Sequence, residues 1–513
     1  MLTNAGLVNV GGAPGTTLTV SGNYIGADGT LRLNTALGDD TSTTDRLVVL
    51  GDTSGSTTLV VANVGGNGAP TVEGIRVIDV AGSSAGSFAL DGDYVFEGDE
   101  AVIGGAYAYR LYKNGVTTPT DGSWYLRSAL ADPADPTDPT DPSDPTDPTD
   151  PTDPADPTDP ADPTPPSSPL YQPGVPVYEA YAQTLLGLNG LPTLQQRVGN
   201  RYWSGAGNGM LSQGDGPGTI EPAPQPSDGG SAFVEGRGLW ARIEGAHGSF
   251  DPRTSTSATD YDLDTWKIQS GLDGQLYESD SGKLIGGITA QYGNASADVS
   301  SIFGNGEVDT DGYGVGATLT WYGQNGFYLD AQAQATSYES DLSSGVLGSL
   351  SNGNDGFGYA FSLETGKRLA LNQSWALTPQ AQLAYSNVDF DDFTDPFGAN
   401  VSLGSGDSLK GRLGLSADYE NAWEGASGTT TRTHLYGIAN LYYEFLDGTE
   451  VEVSGVNFAS ENDRTWGGIG TGGSYNWNDD KYSIYSEVSV NTSLSHFADS
   501  YSLNGTAGFR VKF

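Results

Sequence analysis

The chain has 513 residues, 64 acidic and 22 basic, giving a net charge of −42. Nucleic acid is excluded as a first-choice partner, because phosphate contacts need clustered Lys and Arg. With no cysteine and only three histidines (His247, His434, His496), the chain cannot build disulfides, thiolate metal sites or a thiol nucleophile.

Glycine is abundant at 74 residues, with 27 tyrosines and 9 tryptophans beside 2 methionines. That composition reads as all-β, since helical cores lean on Leu, Met and Ala. No apolar run is long enough for a transmembrane helix. The opening Met1-Leu2-Thr3-Asn4-Ala5-Gly6 has neither the basic nor the apolar region of a signal peptide. Those absences alone suggest a soluble cytoplasmic protein. A transmembrane β-barrel, however, hides its apolar face in alternation and escapes any hydropathy window.

Residues 1–128 consist of short apolar runs between Gly/Asp/Ser/Thr turns. Examples are Leu18-Thr19-Val20, Leu31-Arg32-Leu33, Leu47-Val48-Val49-Leu50, Leu59-Val60-Val61 and Ile75-Arg76-Val77-Ile78-Asp79-Val80. Strands this short fit a sandwich or the rungs of a parallel β-helix, and periodicity does not choose between them. Tyr94, Phe96, Tyr107, Tyr109, Tyr112, Trp124 and Tyr125 gather toward the end of this part. They predict a cap over an exposed stack of sheets.

Residues 129–169 hold eleven Asp-Pro pairs, from Asp132-Pro133 to Asp162-Pro163, with a strict period of three. That period matches polyproline II. The segment reads as a solvated acidic spacer reaching on the order of 100 Å. The alternative is a calcium-binding acidic comb.

Residues 170–232 carry two helix-like stretches, 176–186 and 191–198, each with an early proline. The second contains Leu194, Gln195, Gln196, Arg197 and Val198. Short, glutamine-rich and weakly amphipathic, it is suited to the inside of a polar tunnel.

From residue 233 to 513 the period becomes two. In the last strand Tyr501, Leu503, Gly505, Ala507, Phe509, Val511 and Phe513 share one face, with Ser502, Asn504, Thr506, Gly508, Arg510 and Lys512 on the other. Twelve such strands are predicted, centred near residues 242, 270, 288, 317, 332, 362, 380, 414, 439, 470, 486 and 507. Short links fall near 280, 324, 372, 425 and 479. Longer ones span 250–262, 294–309, 340–355, 389–406, 454–463 and 494–500. An even strand number with short turns at one end and long loops at the other is the pattern of an outer-membrane barrel, both termini lying at the short-turn end. Trp321, Trp375, Tyr385, Tyr443 and Phe445 fall near strand ends as an aromatic girdle. Arg242, Glu244, Lys267, Gln332, Gln334, Glu364, Gln380, Gln382, Arg412, Asp418, Glu487 and Arg510 fall on the opposite, lumen-facing side. A soluble sandwich would alternate too, but its strands average only about 5–6 residues. Here many exceed the ~9–11 needed to cross a bilayer.

Three motif matches carry no chemistry. Gly82-Ser83-Ser84-Ala85-Gly86 lacks the helix and the partners of a nucleophile elbow. Gly468-Ile469-Gly470-Thr471-Gly472-Gly473 lies inside a strand with no helix after it. Gly406-Asp407-Ser408 sits at a loop-to-strand junction. No catalytic, metal or cofactor site is expected, and the chain is not read as an enzyme.

Residues from about 170 to 513 resemble the translocator of a classical (monomeric) autotransporter of type V secretion. The resemblance rests on Gly238-Leu239-Trp240-Ala241-Arg242-Ile243-Glu244-Gly245, Pro379-Gln380, Leu435-Tyr436-Gly437-Ile438-Ala439-Asn440-Leu441 and Gly508-Phe509-Arg510-Val511-Lys512-Phe513. Residues 18–128 resemble the C-terminal, autochaperone-like end of a pertactin-like passenger, chiefly through Asn23-Tyr24-Ile25-Gly26 and Asp45-Arg46-Leu47-Val48-Val49.

The resemblance implies a right-handed parallel β-helix end followed by a twelve-stranded barrel threaded by the helical segment. It implies that Phe513, with Phe509 and Val511, is read by the barrel-assembly machinery. The eight charged lumen residues, Arg242, Glu244, Lys267, Glu364, Arg412, Asp418, Glu487 and Arg510, are expected to contact the threaded segment, or else one another. No Asn-Asn pair stands in the helix, so self-cleavage inside the barrel is not expected. The chain reads as beginning inside a longer passenger.

The expected function is export and surface display of its own passenger, with the whole protein an adhesin or surface virulence factor. Expected partners are outer-membrane lipid, the barrel-assembly machinery, periplasmic chaperones and a host or cell-surface target, for a monomeric barrel without a cofactor. A porin with an attached soluble domain and a truncated exported hydrolase are the competing readings.

Overall fold

The computed structural model describes residues 1–130, 168–199, 237–424 and 428–513. Two compact units make up the described chain, one centred on Met1–Gln172 and one on Pro173–Phe513.

In the first unit the parallel strands Leu2–Asn4, Leu7–Asn9, Tyr24–Thr35, Thr53–Asn63 and Ser87–Asp91 form one sheet. Thr17–Val20, Arg46–Val49 and Ile75–Val80 begin a second. Tyr24 sits beside Thr53 and Leu18 beside Leu47, so chain neighbours repeat once per turn in both sheets. That register selects the parallel β-helix over the sandwich. Leu31 stacks on Leu59 and Leu33 on Val61, and the interior is a ladder of like side chains. The second sheet then turns antiparallel through Trp124–Arg127, Tyr107–Lys113, Asp99–Gly104 and Tyr94–Phe96. Phe88 stacks on Tyr24 at 5.9 Å and meets Trp124 edge-on at 5.5 Å, so aromatic rings join the stack to its antiparallel end.

The Asp-Pro repeats, read as a spacer, lie outside the described residues, but both of their flanks are described. Ala129 pairs with Pro169 in an antiparallel bridge. The Leu130 N–H donates to the Ser168 carbonyl at 2.7 Å, and the Leu170 N–H to the Ser128 carbonyl at 2.7 Å. The chain leaves and re-enters the first unit at one place. Residues 170–172, expected to open the pore segment, pair with 106–108 instead. A composition shift marks where repeats begin; it carries no information on whether their ends meet.

The second unit is a closed barrel of twelve antiparallel strands. They are β1 Gly238–Phe250, β2 Thr259–Ser279, β3 Gly282–Ser301, β4 Gly306–Gly323, β5 Phe327–Ser344 and β6 Gly348–Lys367. β7 Trp375–Phe390, β8 Asp407–Glu424, β9 Thr430–Glu444, β10 Thr465–Trp477, β11 Tyr482–Ser493 and β12 Tyr501–Lys512 complete it. β1 pairs with β12 from Gly238↔Lys512 to Ser249↔Tyr501, which leaves no free edge and puts both strand termini at the short-turn end. Every predicted strand centre falls inside one of these strands. The short link predicted around Gly425 lies partly outside the described residues.

The long links differ. In place of 294–309 and 340–355, only 302–305 and 345–347 lie outside strands. On β3 the outward series Gly286, Ile288, Ala290, Tyr292 continues as Asn294, Ser296, Asp298. The inward series Thr289, Gln291 continues as Ala295, Ala297, Val299, all buried. β2 does the same, with Ile268 and Trp266 outward giving way to Asp264 and Asp262, and Gln269 and Lys267 inward giving way to Leu263 and Tyr261. The pleat runs on while the two faces exchange polarity. Loss of the outward apolar series therefore marks the rim of a belt rather than the end of a strand.

Loop segments Thr254–Ser255, Phe393–Thr394, Asn400–Ser405, Thr449–Val453 and Val456–Glu461 form a separate five-stranded sheet at the long-loop end. Its Val401, Val451, Val453 and Phe458 are buried.

Two outcomes are expected of the first unit. Gly55 has φ +74°, and a Cβ there would stand 1.9 Å from the Gly26 carbonyl oxygen, whereas Gly65 has the same φ and open space around it. Gly65→Ala should cost about 1–2 kcal/mol and Gly55→Ala several-fold more, read as protease protection of the unit on heating. Deletion of residues 134–163 should leave the unit folded, and more stable by about 1–2 kcal/mol, because a shorter loop closes at less entropy; thermal unfolding of the full chain checks it.

Candidate functional site

The lumen is occupied by the chain's own segment. Helix α1 (Val175–Leu188) begins beside Gly304 and Phe393 at the long-loop end, and helix α2 (Leu194–Val198) ends beside Trp240 and Tyr322 at the short-turn end. α1 opens with proline in its first turn, where no N–H partner is lost. It lies against β2, β3, β4 and β7, where the exchange of faces gives it an apolar wall. Gly293 and Gly312 leave room for Leu188, whose methyls would stand 3.0 and 2.9 Å from a Cβ at those positions.

The one charged residue of α1, Glu179, is buried. Its carboxylate accepts from Ser255 Oγ at 2.6 Å, Thr256 N–H at 3.2 Å, and Ser257 N–H and Oγ at 2.9 and 2.6 Å. Tyr178 donates to Asp395 at 2.9 Å, Gln183 to Thr449 at 3.2 Å, and Tyr181 stacks on Phe390 at 4.4 Å. α1 is thereby tied to three different loops.

Below α1, wall side chains hold the backbone of residues 189–192. Gln334 donates to the Asn189 carbonyl at 2.8 Å, Gln332 to the Pro192 carbonyl at 2.8 Å and Lys267 to the Gly190 carbonyl at 2.9 Å. The Asn189 amide donates to Ser386 Oγ at 2.7 Å. Thr193 and Gln196 form a reciprocal capping box at the start of α2. The Leu194 N–H donates to Glu364 at 3.0 Å, and Gln196 to Glu487 at 2.7 Å. Arg197 is paired with Asp330, both buried. The last carbonyls of α2 accept from Tyr485 (to Arg197 O) and from Arg510 (to Val198 O, 3.1 Å), satisfying groups that a helix end leaves free.

Of the eight charged residues expected at the lumen, Lys267, Glu364, Glu487 and Arg510 touch the threaded segment. The other four are bonded within the wall. Arg242 donates to Gln269 at 2.9 Å and pairs with Glu244 at 2.6 Å, and Glu244 also pairs with Lys267 at 2.7 Å. Arg412 donates to Gln380, Gln382 and Asn440 at 2.9–3.1 Å. Asp418 accepts from Thr378 and Ser416 and meets His434 at 3.0 Å. Gln195 lies beside His434 and Tyr436. Asp330, Glu179, Asn189 and Tyr485 were absent from the expected set. Asp330 sits two positions before Gln332 on the same inward face, so the alternation itself carried the signal.

Outside, Trp321 and Trp375 lie toward the short-turn end, with Trp375 against Tyr419 at 5.3 Å. Tyr385, Tyr443 and Phe445 lie toward the other end, with Tyr443 and Phe445 edge-on at 4.9 Å. Trp266, Tyr292 and Tyr313 add to that upper row, with rings 5.3 and 4.9 Å apart. Between the rows stand exposed Ile288, Val315, Leu413 and Ile469. Phe509 and Phe513 are exposed at the short-turn end. Among the described residues, no helix is long and apolar enough to cross a membrane, and no group of three or more His, Asp or Glu is placed to hold a metal ion.

An apolar belt between aromatic rows, around a lumen filled by the chain's own helices, defines the class: an outer-membrane β-barrel translocator joined to the end of a parallel β-helix. Residues 239–489 match the Autotransporter beta-domain family, and residues 4–111 match Autochaperone Domain Type 1. The chain belongs to the autotransporter family. It is 49% identical over its whole length to the adhesin BmaC autotransporter of Brucella suis biovar 1, of which it spans 14%. It is 30% identical over 99% of its length to the probable autotransporter YfaL of Escherichia coli K12, of which it spans 36%. The crystal structure of the transport unit of the E. coli autotransporter AIDA-I covers 66% of the chain, and the chain covers 99% of it, at 19% identity and a TM-score of 0.48. The barrel resides in the outer membrane, with the passenger at the cell surface.

The exchange of faces locates the membrane rim. Ile288→Arg, in the belt, should cost about 2–4 kcal/mol and sharply reduce the heat-modifiable barrel band. Asp298→Arg, ten residues on along the same strand and face, should leave that band unchanged.

Proposed function

We propose that this chain exports the passenger to which it is joined, holds it at the cell surface, and afterwards keeps the exported chain's tail in the lumen. The observation that carries the reading is the continuous run of hydrogen bonds along residues 178–198. It fixes one polypeptide through the barrel from the long-loop end to the short-turn end. Such a path has one end outside and one end at the first barrel strand. The full-length protein is an adhesin in this reading, in keeping with the name of the Brucella relative. It acts by binding a host or cell-surface partner and without catalysis.

Assembly is assigned to the barrel-assembly machinery with periplasmic chaperones, and the exposed Phe513, with Phe509 and Val511 on its strand, is the recognition element. The energy for export comes from barrel closure and passenger folding. Four of the charged wall residues (Lys267, Glu364, Glu487, Arg510) retain the segment. The other four (Arg242, Glu244, Arg412, Asp418) keep the wall's own charges paired.

Protease added to intact cells expressing the chain behind an export signal should remove residues 1–128 and leave a protected, heat-modifiable barrel. Protection of the N-terminal part until the outer membrane is permeabilised would overturn surface display. Deletion of Phe513 should lower the amount of assembled barrel several-fold without changing its melting behaviour once formed.

A further inference from the structure

The two helices occupy the lumen differently. α1 lies along the tall wall of β2, β3, β4 and β7 and leaves a cavity of about 470 Å³ on its other side. Gln183 and Gly187 of α1 line that cavity from one side, and Ser489, Asn491 and Asn504 of β11 and β12 from the other. Its lining descends to Gln196, Glu244 and Glu487, and Trp240, Tyr322, Tyr328 and Val198 take no part in it.

At that level α2 runs across the lumen. One side is bonded to Asp330 on β5 and Glu364 on β6, and the other to Glu487 and Tyr485 on β11 and Arg510 on β12. Leu194 and Val198 pack with Trp240, Ile285, Tyr322 and Tyr328 in a buried apolar cluster. Polar side chains beside water-sized space let hydrated solutes move. A dry apolar layer with a buried ion pair through it does not, because an ion entering it must leave its water and displace a charge already paired.

We infer that the five-residue helix α2 is the permeability seal of the barrel: a bolt across the lumen near the short-turn end, above which the lumen beside α1 is a water-filled cup. The long helix α1 tethers the segment to the wall and loops, and α2 closes the pore.

The absence of native cysteines makes single-cysteine reporters clean. In the full chain displayed on intact cells, Ser489→Cys and Asn504→Cys, in the cup, should react with a small membrane-impermeant thiosulfonate. Ser483→Cys, on the inward face of β11 below α2, should not. Adding Leu194→Ala and Val198→Ala should make Ser483→Cys reactive from outside and raise the single-channel conductance of the purified protein several-fold. Leu186→Ala, on the cavity side of α1, should change conductance less than twofold. Unreactive cup cysteines would put the barrier above α2 and overturn the assignment, and so would a Ser483→Cys reactive in the otherwise unchanged chain. Equal conductance gains from the α1 and α2 substitutions would also overturn it. If the α2 double variant fails to give a heat-modifiable barrel, the unaltered background can still overturn the assignment, through unreactive cup cysteines or through a reactive Ser483→Cys, whose own burial in the wall makes its silence alone no support.

Discussion

A membrane-spanning sheet has to satisfy every backbone N–H and C=O within itself, and the twelve pairings of β1 with β12 are how this chain does so. Closure fixes much else. It forces each strand to show one face to lipid and one to the lumen, and a barrel of twelve strands leaves a lumen too wide for wall side chains alone to fill. The chain fills it with its own preceding segment. The wall therefore has to meet lipid outside and a peptide inside, at heights where the chemistry of both neighbours changes. The unbroken pleat of β2 and β3 resolves this by exchanging face polarity. Where lipid ends, carboxylates and amides take the outside. Where the helix begins, Ala295, Ala297 and Val299 take the inside.

The same geometry explains why charged lumen residues divide between wall and segment. Side chains on adjacent strands stand about 5 Å apart, so a long charged side chain meets its neighbour across the ladder before it meets anything on the barrel axis. Arg242, Glu244 and Lys267 lie on paired positions of β1 and β2 and form a local network, from which Lys267 has a donor to spare for the Gly190 carbonyl. Glu364, Glu487 and Arg510 reach the segment because α2 crosses toward them. Between α1 and α2, three wall side chains reach the segment through its backbone. Gln332, Gln334 and Lys267 all donate to carbonyls, which any sequence presents. A wall that binds backbone is compatible with having passed a long and varied polypeptide.

The barrel was legible because period two survives in every strand, from Leu239 through Phe509. Its family was legible from an ordered set of short motifs. What alternation alone did not reveal was its own inversion: reading Asn294–Asp298 as loop follows from tracking only the apolar face. Glu179 was readable as the lone carboxylate of an otherwise uncharged helix, but its partners at Ser255–Ser257 sit on a loop some eighty residues away, and no local pattern joins them. For the first unit, strand spacing left sandwich and β-helix open, because only register, Leu18 beside Leu47, separates them. Pairing between distant segments is the information that a single sequence holds least openly, and the meeting of Ala129 with Pro169 is the clearest instance.

That meeting has a consequence for how the protein can vary. The repeats sit between two residues held in one bridge, and each Thr-Asp-Pro unit adds one carboxylate. Units gained or lost in frame change the chain's net charge one step at a time while the bridge holds the two flanks together. Bulk acidity is thereby separated from architecture. The surface field that a bacterium presents to an approaching ion, antibody or cell could drift across lineages while the β-helix end and the barrel stayed under the tight constraints of packing and register.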